Sequence, residues 1–195
     1  MPGSWLVLVL AAVAGFFVGG VNPASIVARL RHGDLRLGSG NPGATNTGRL
    51  LGVRWGVLVG VLDVLKGLLP TLLALWWLDR FTAYAVGLAC ILGHILSPYL
   101  HGRGGKGVAT SLGAVTAVLP WFSLVMLGVF GAVVARSRWV AGASISAALA
   151  LLLLSVFAPM PAPVLAGRIW GATVALIVIG RHHRNIRVWL ATRLR

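Results

Sequence analysis

Val140-Ala141-Gly142-Ala143-Ser144-Ile145-Ser146-Ala147-Ala148-Leu149-Ala150-Leu151-Leu152-Leu153-Leu154-Ser155-Val156-Phe157-Ala158 runs without one charged side chain. About 20 apolar residues let a helix cross the hydrocarbon core of a bilayer, and this stretch meets that length. Outward from it the same pattern recurs at 5–28, 53–78, 81–99, 121–135 and 165–180, with a shorter run at 108–119 set off by Pro120. The chain is therefore predicted to be all-α, a polytopic membrane protein whose single transmembrane domain, 1–195, holds seven transmembrane helices at those positions. Pro70 predicts a bend in the second of them.

Composition agrees. Of 195 residues 58% are hydrophobic and 10% charged, and mean hydropathy is +0.91. A soluble domain carries about 25% charged residues, so this chain cannot coat itself against water. Disorder, a disulfide scaffold and a nucleic-acid-binding globule are excluded. The one cysteine, Cys90, lies inside an apolar run and forbids an internal disulfide.

Seventeen Lys and Arg face three acids, a net charge of +14. The basic residues gather in the gaps between apolar runs, which places those gaps on the cytoplasmic side. No charge precedes the first run, and Arg29, Arg31 and Arg36 follow it. A secretory signal begins basic and has a shorter apolar stretch, so a retained helix with its N-terminus outside is expected. Seven spans then put the C-terminus in the cytoplasm, with only Lys66, Arg80 and Arg168 among the basic residues elsewhere. Six spans, with 108–135 as one helix, would throw Arg136 and Arg138 outside.

Three polar gaps face that compartment. In the first, Gly38-Ser39-Gly40-Asn41-Pro42-Gly43-Ala44-Thr45-Asn46-Thr47-Gly48-Arg49, closely spaced glycines let backbone N–H groups converge on an anion. Gly40 and Gly43 belong to that cradle; Ser39, Asn41, Thr45 and Asn46 add neutral donors, and Arg49 a fork suited to phosphate. A flexible surface loop is the plainer alternative. The second, Gly104-Gly105-Lys106-Gly107-Val108-Ala109-Thr110-Ser111, fails as a P-loop because position 100 is Leu and position 107 Gly. It still offers a Lys charge on a glycine turn that enters a helix, whose N-terminus favours an anion. The third, Arg181-His182-His183-Arg184-Asn185-Ile186-Arg187, puts His182 and Asn185 on one face if helical. It reads equally as a basic membrane anchor.

Asp63 and Lys66 sit within a span, three apart, as either a structural pair or a relay. His94 ends the next span and reads as a packing histidine. No Asp follows any His at the spacing of an acyltransferase His-x-x-x-x-Asp box, a Gly-x-Ser-x-Gly elbow is absent, and zinc spacing is missing. An enzyme here must work by positioning and charge stabilisation.

Gly38–Asn46, Asp63-Val64-Leu65-Lys66-Gly67, Gly93-His94, Gly104–Thr110 and His182-x-x-Asn185-Ile186, in this order and at these separations, resemble the bacterial acyl-phosphate-dependent glycerol-3-phosphate acyltransferases. The resemblance runs from about residue 15 to residue 190. It implies a seven-helix enzyme of the bacterial inner membrane, with its active site facing the cytoplasm. Such an enzyme moves an acyl group from acyl-phosphate to the 1-hydroxyl of glycerol 3-phosphate and begins phospholipid synthesis. By motif position, Ser39, Thr45, Arg49, Lys106, Ser144, His182 and Asn185 would line the active site. One departure stands out. The family tends to read aromatic-x-Ser-Leu-x-Ser after the third basic gap, whereas this chain has Trp139-Val140-Ala141-Gly142-Ala143-Ser144.

On this reading His182, Asn185 and Lys106 are catalytic, and Gly40, Asn41, Gly43, Asn46, Gly104 and Gly105 bind substrate beside Ser39, Thr45, Arg49 and Ser144. Acyl-phosphate carries its own leaving group, so neither cofactor nor metal is expected. The expected partners are the two substrates and membrane lipid, with no nucleic acid and no obligate protein. The alternative is a transporter of a phosphorylated metabolite, although only Asp63 and Lys66 would suit a midplane site.

Overall fold

The computed structural model describes residues 5–193, and every regular element among them is helical. The chain divides into two compact units, the first ending at Leu119 and the second opening at Pro120. The first holds α1 (Trp5–Gly20), α2 (Pro23–Leu30), α3 (Ala44–Leu51), α4 (Val53–Trp77), α5 (Arg80–Ile95), a 3-10 turn (Pro98–Leu100) and α6 (Val108–Val118). The second holds α7 (Pro120–Ser137), α8 (Val140–Phe157), α9 (Val164–Arg181) and α10 (His183–Arg193).

Six segments are long and apolar enough to cross a membrane: Trp5–Leu30, Val53–Trp77, Arg80–Leu100, Pro120–Ser137, Val140–Phe157 and Val164–Arg181. The remaining expected span, 108–119, is α6. Its 11 residues make about 16 Å of helix, roughly half of the ~30 Å hydrocarbon core. Helix and break fall where Pro120 predicts. Leu119 leaves helical geometry, and α7 starts on the proline that has no N–H to continue α6.

Other boundaries differ from the sequence reading. The run expected over 5–28 is two helices, because Pro23 cannot donate and Asn22 takes extended backbone geometry. The Asn22 side chain accepts the Ser25 N–H at 2.8 Å and so caps α2. The polar interruption 31–52 contains α3. Across Pro70, where a bend was expected, α4 continues as one helix, and the Thr71 hydroxyl donates to Gly67 O at 2.6 Å.

Packing inverts the rule of a soluble core. On α1, Leu6, Leu10, Val13 and Phe17 are exposed while Gly15 and Gly19 are buried. Lipid tails are as apolar as leucine, so large side chains gain little by leaving them, and small residues let backbones close up. A Cβ at Gly19 would strike the Cys90 backbone, and one at Gly93 the Phe16 carbonyl, so α1 and α5 interlock. Gly67 against Thr110 O and Gly113 against Val64 O do the same for α4 and α6. Asp79 caps α5 through the Thr82 N–H at 3.0 Å, and Arg80 Nη1 donates to Val118 O, an orphan carbonyl of α6, at 2.9 Å.

Candidate active site

The first glycine-rich segment folds around one side chain. Asn46 is 1% exposed; its amide donates to Leu35 O at 3.0 Å and Leu37 O at 3.1 Å, and its oxygen accepts the Ser39 N–H at 3.0 Å. Sequence reading offered Asn46 as a donor to substrate. Both of its amide hydrogens are already bound, so it shapes the loop. Gly38 and Gly40 take the left-handed region, each at φ 66°, where a side chain would be strained. Asn22 holds the loop from the other side, its amide donating to Pro42 O at 3.0 Å. Ser39 is thereby left exposed at the head of α3, and Thr45 and Arg49, four apart on α3, are exposed along one face. Asn41 is half-buried and Gly43 buried.

The second segment is strapped to the end of α5. Gly104 N–H donates to Ile95 O at 3.0 Å and Gly105 N–H to His94 O at 3.1 Å. Both glycines are buried and tolerate no Cβ: Gly104 lies on the His94 carbonyl, Gly105 on the edge of the His94 ring. Lys106, half-buried, follows at once, and Gly107 (φ 84°) turns the chain into α6. In the first turn of α6 the hydroxyls of Thr110 and Ser111 are buried without a hydrogen-bond partner among the described residues.

Beneath this strap lies an ion cluster. Asp63 and Lys66 are 2% and 9% exposed, and Lys66 Nζ is 2.8 Å from Asp63 Oδ1. His94, 3% exposed, brings its Nδ1 to 3.4 Å from the same oxygen. Lys66 also donates to Val21 O at 2.6 Å, in the break between α1 and α2. Sequence reading paired Asp63 with Lys66 but left His94 to packing.

A cleft of about 650 Å³ in this unit is lined by Arg29, His32, Arg36, Gly40, Pro42 and Arg103, among others. Three hydrogen bonds from the Arg36 side chain, and one from its backbone N–H, hold the exposed Asp34 carboxyl below its usual range. Asp34 thus stays ionised and offsets Arg36, leaving the cleft basic through Arg29 and Arg103.

In the second unit His182 is 2% exposed. It closes α9, and its backbone carbonyl accepts the Ile186 N–H at 3.0 Å, which starts α10. His182 therefore stands at the junction of α9 and α10, and Asn185 follows in the first turn of α10. His182 Nδ1 lies 2.8 Å from Val178 O. Asn185 is half-buried on α10 and lines a cleft of about 570 Å³ with Arg184, Ser137 and Trp139. Ser144 is 4% exposed and turns back on its own helix, its hydroxyl donating to Val140 O at 3.0 Å. The departure at Gly142 has a physical reason, because the Trp139 ring fills the space where a Cβ would stand. Trp139 in turn stacks on Trp189 of α10, centroids 5.7 Å apart and planes at 9°. Ser39 through Lys106 are thus carried by the first unit, and Ser144, His182 and Asn185 by the second. No group of three His, Cys, Asp or Glu able to hold a metal occurs among the described residues.

Comparison with known proteins agrees on the class. The model of a family described as glycerol-3-phosphate acyltransferase matches residues 9–192. A glycerol-3-phosphate acyltransferase of Aquifex aeolicus is 39% identical over 93% of this chain and 94% of its own length. One of Geobacter sulfurreducens is 43% identical over 92% of each. The crystal structure of PlsY, an integral membrane glycerol 3-phosphate acyltransferase in its glycerol 3-phosphate form, is similar at a TM-score of 0.90. The two share 35% identity over 96% of this chain and 94% of that one. Its lysophosphatidic acid form gives a TM-score of 0.87 at 36% identity.

Helices, glycine segments and these matches define an integral membrane acyltransferase, which sets the transporter reading aside. The chain belongs to the family its motifs resemble, the bacterial acyl-phosphate-dependent glycerol-3-phosphate acyltransferases of phospholipid synthesis.

Proposed function

We propose that this chain transfers a fatty acyl group from acyl-phosphate to the 1-hydroxyl of glycerol 3-phosphate, giving lysophosphatidic acid and inorganic phosphate. The hydroxyl attacks the acyl carbon, the acyl–phosphate bond breaks, and phosphate leaves with no covalent acyl-enzyme. The observation that supports this most is the pairing of two structured glycine segments with Arg49 and Lys106, on a fold similar to that of an acyltransferase solved in its glycerol 3-phosphate form.

Two phosphorylated molecules must be held close without repelling each other. Ser39, Asn41 and Thr45 supply neutral donors to the donor phosphate, and Gly40 and Gly43, their N–H groups bonded to Leu37 O and Asn41 O, shape the loop that carries them. Arg49 and Lys106 neutralise charge that grows as phosphate departs, and Gly104 and Gly105 form the strapped turn that presents Lys106. Ser144 and Asn185 fix glycerol phosphate. His182 Nε2 holds the acceptor in place, and the departing phosphate takes the proton of the attacking hydroxyl. The activation resides in the donor, so no cofactor, metal or protein partner is needed.

The same reading sets the membrane arrangement: seven crossings in one domain, N-terminus outside, C-terminus and glycine segments in the cytoplasm, in the inner membrane. Although α6 is short, Gly104, Gly105 and Gly107 before it are buried and its glycine contacts press it onto α4. Irregular backbone at membrane depth is tolerated when protein covers it.

Purified protein in detergent tests the reaction. Acyl-phosphate with glycerol 3-phosphate should give phosphate and lysophosphatidic acid without a sealed compartment, and acyl-coenzyme A and acyl carrier protein should be inactive donors. Comparable turnover with acyl-coenzyme A would refute the donor assignment and leave the acceptor standing.

A further inference from the structure

We infer that His94 is a positioning residue for acyl transfer, seated by the buried Asp63–Lys66 pair, and that it sets the backbone from which Lys106 reaches substrate. This rests on the role proposed above for Lys106. Three observations converge. His94 Nδ1 lies 3.4 Å from Asp63 Oδ1, and Lys66 Nζ 2.8 Å from that same atom. The opposite edge of the ring, at Nε2, abuts Gly105 so closely that no side chain fits there. The Gly105 N–H is bonded to the His94 carbonyl, so ring and backbone of one residue grip the residue before Lys106 from two sides.

The cluster also reaches the other glycine segment. Lys66 donates to Val21 O, and the next residue, Asn22, donates to Pro42 O. One buried pair is therefore tied on one side to the segment with Lys106 and on the other to the loop that presents Ser39. The Asp63–Lys66 pair lies within α4 and sets no register by itself. Its outward contacts do, because a slip of α4 against α5 or α1 would part Asp63 from His94 and Lys66 from the Val21 carbonyl. Register is what two phosphate-binding segments require, since small misplacement of an oriented group is costly to rate.

A double-mutant cycle in purified protein tests this. His94→Asn keeps a polar group where Nδ1 stands and removes the ring edge at Gly105. Acting through Lys106, His94→Asn should lower kcat/KM, and Lys106→Met should then cost far less than in the wild type. The expected figures are about 10²–10³-fold in wild type, as for other preorganised charges, and under about 10-fold in the His94→Asn background, the signature of coupled residues. Gly105→Ala should be markedly less harmful in His94→Asn than alone, because the collision is gone. Wild-type activity in His94→Asn, or the full Lys106→Met loss in both backgrounds, overturns the inference. A Lys106→Met protein within a few-fold of wild type overturns the role of Lys106, and this inference with it. If His94→Asn does not elute as a monodisperse species, His94→Ser, which also removes the ring edge, enters the same cycle; failure of both makes His94 a folding residue and overturns the inference too.

Discussion

His182 Nδ1 lies 2.8 Å from the carbonyl oxygen of Val178, one turn back on α9. A carbonyl oxygen only accepts, so Nδ1 carries the hydrogen and Nε2 of the neutral ring is an acceptor. That tether fixes the ring through one nitrogen, and the proposed role of the other, in the neutral ring, is to offer a lone pair to substrate.

Substitutions at 182 can then be told apart by reach. Glutamine places an acceptor near the position of Nε2, asparagine imitates Nδ1 alone, and alanine supplies neither. The expected order of kcat at saturating substrate is wild type, then Gln, then Asn and Ala together. If His182 is instead a general base, worth about 10²–10⁴-fold, Gln falls as far as Ala. His183, exposed, with its ring nitrogen 3.0 Å from Gly180 O, should tolerate Ala.

Asn46 makes a different kind of prediction. With both amide hydrogens on Leu35 and Leu37 carbonyls, Asn46→Asp strands two acceptors and sets a carboxylate against them. Buried groups left without partners cost about 1–3 kcal/mol each, so thermal stability in detergent should drop along with activity. Ser39→Ala, at an exposed hydroxyl, should lower activity at unchanged stability. Equal melting temperatures for Asn46→Asp and wild type would remove Asn46 from the loop's framework.

The Trp139–Trp189 stack is expected to pin α10, and with it Asn185. Gly142→Ala pushes a methyl into the Trp139 ring. An aromatic pair contributes about 0.5–1.5 kcal/mol beyond its area, and that contribution should be lost. The exciton signal of stacked indoles in circular dichroism should weaken in Gly142→Ala and vanish in Trp189→Ala. An unchanged signal in Gly142→Ala would show that Trp139 has another place to go.

Topology is open to labelling. Single cysteines at Gly40, Arg103 and Ala191, all exposed, in a Cys90→Ala background should react only from the cytoplasmic side. Labelling at Gly40 or Ala191 from outside intact cells contradicts the arrangement with the C-terminus inside.

Much of this was legible from hydropathy and charge. The long spans announce themselves because lipid demands apolar length, and Pro120 announces its break because proline has no N–H. Asn22-Pro23 is a cap-and-proline signal of the same kind, yet the apolar run around it hid the end of α1. Helix α3 was missed for a physical reason: Thr, Asn and Gly are poor helix formers, and tertiary contacts such as Gly48 against Gly56 hold it. The Asp63–Lys66 pair is local and could be read. Its link to His94 depends on the register of α4 against α5, which no spacing within one helix encodes. That His182 closes one helix and leads into the next was invisible likewise, because a three-residue interval fits a helix and a helix junction equally well.

The most direct measurement is a rapid-quench time course of phosphate release from acyl-phosphate, with and without glycerol 3-phosphate. Direct attack by the acceptor predicts no enzyme-stoichiometric burst of phosphate in its absence, and phosphate and lysophosphatidic acid appearing one for one in its presence. A phosphate burst equal to the enzyme concentration without acceptor, the mark of an acyl-enzyme, would contradict it.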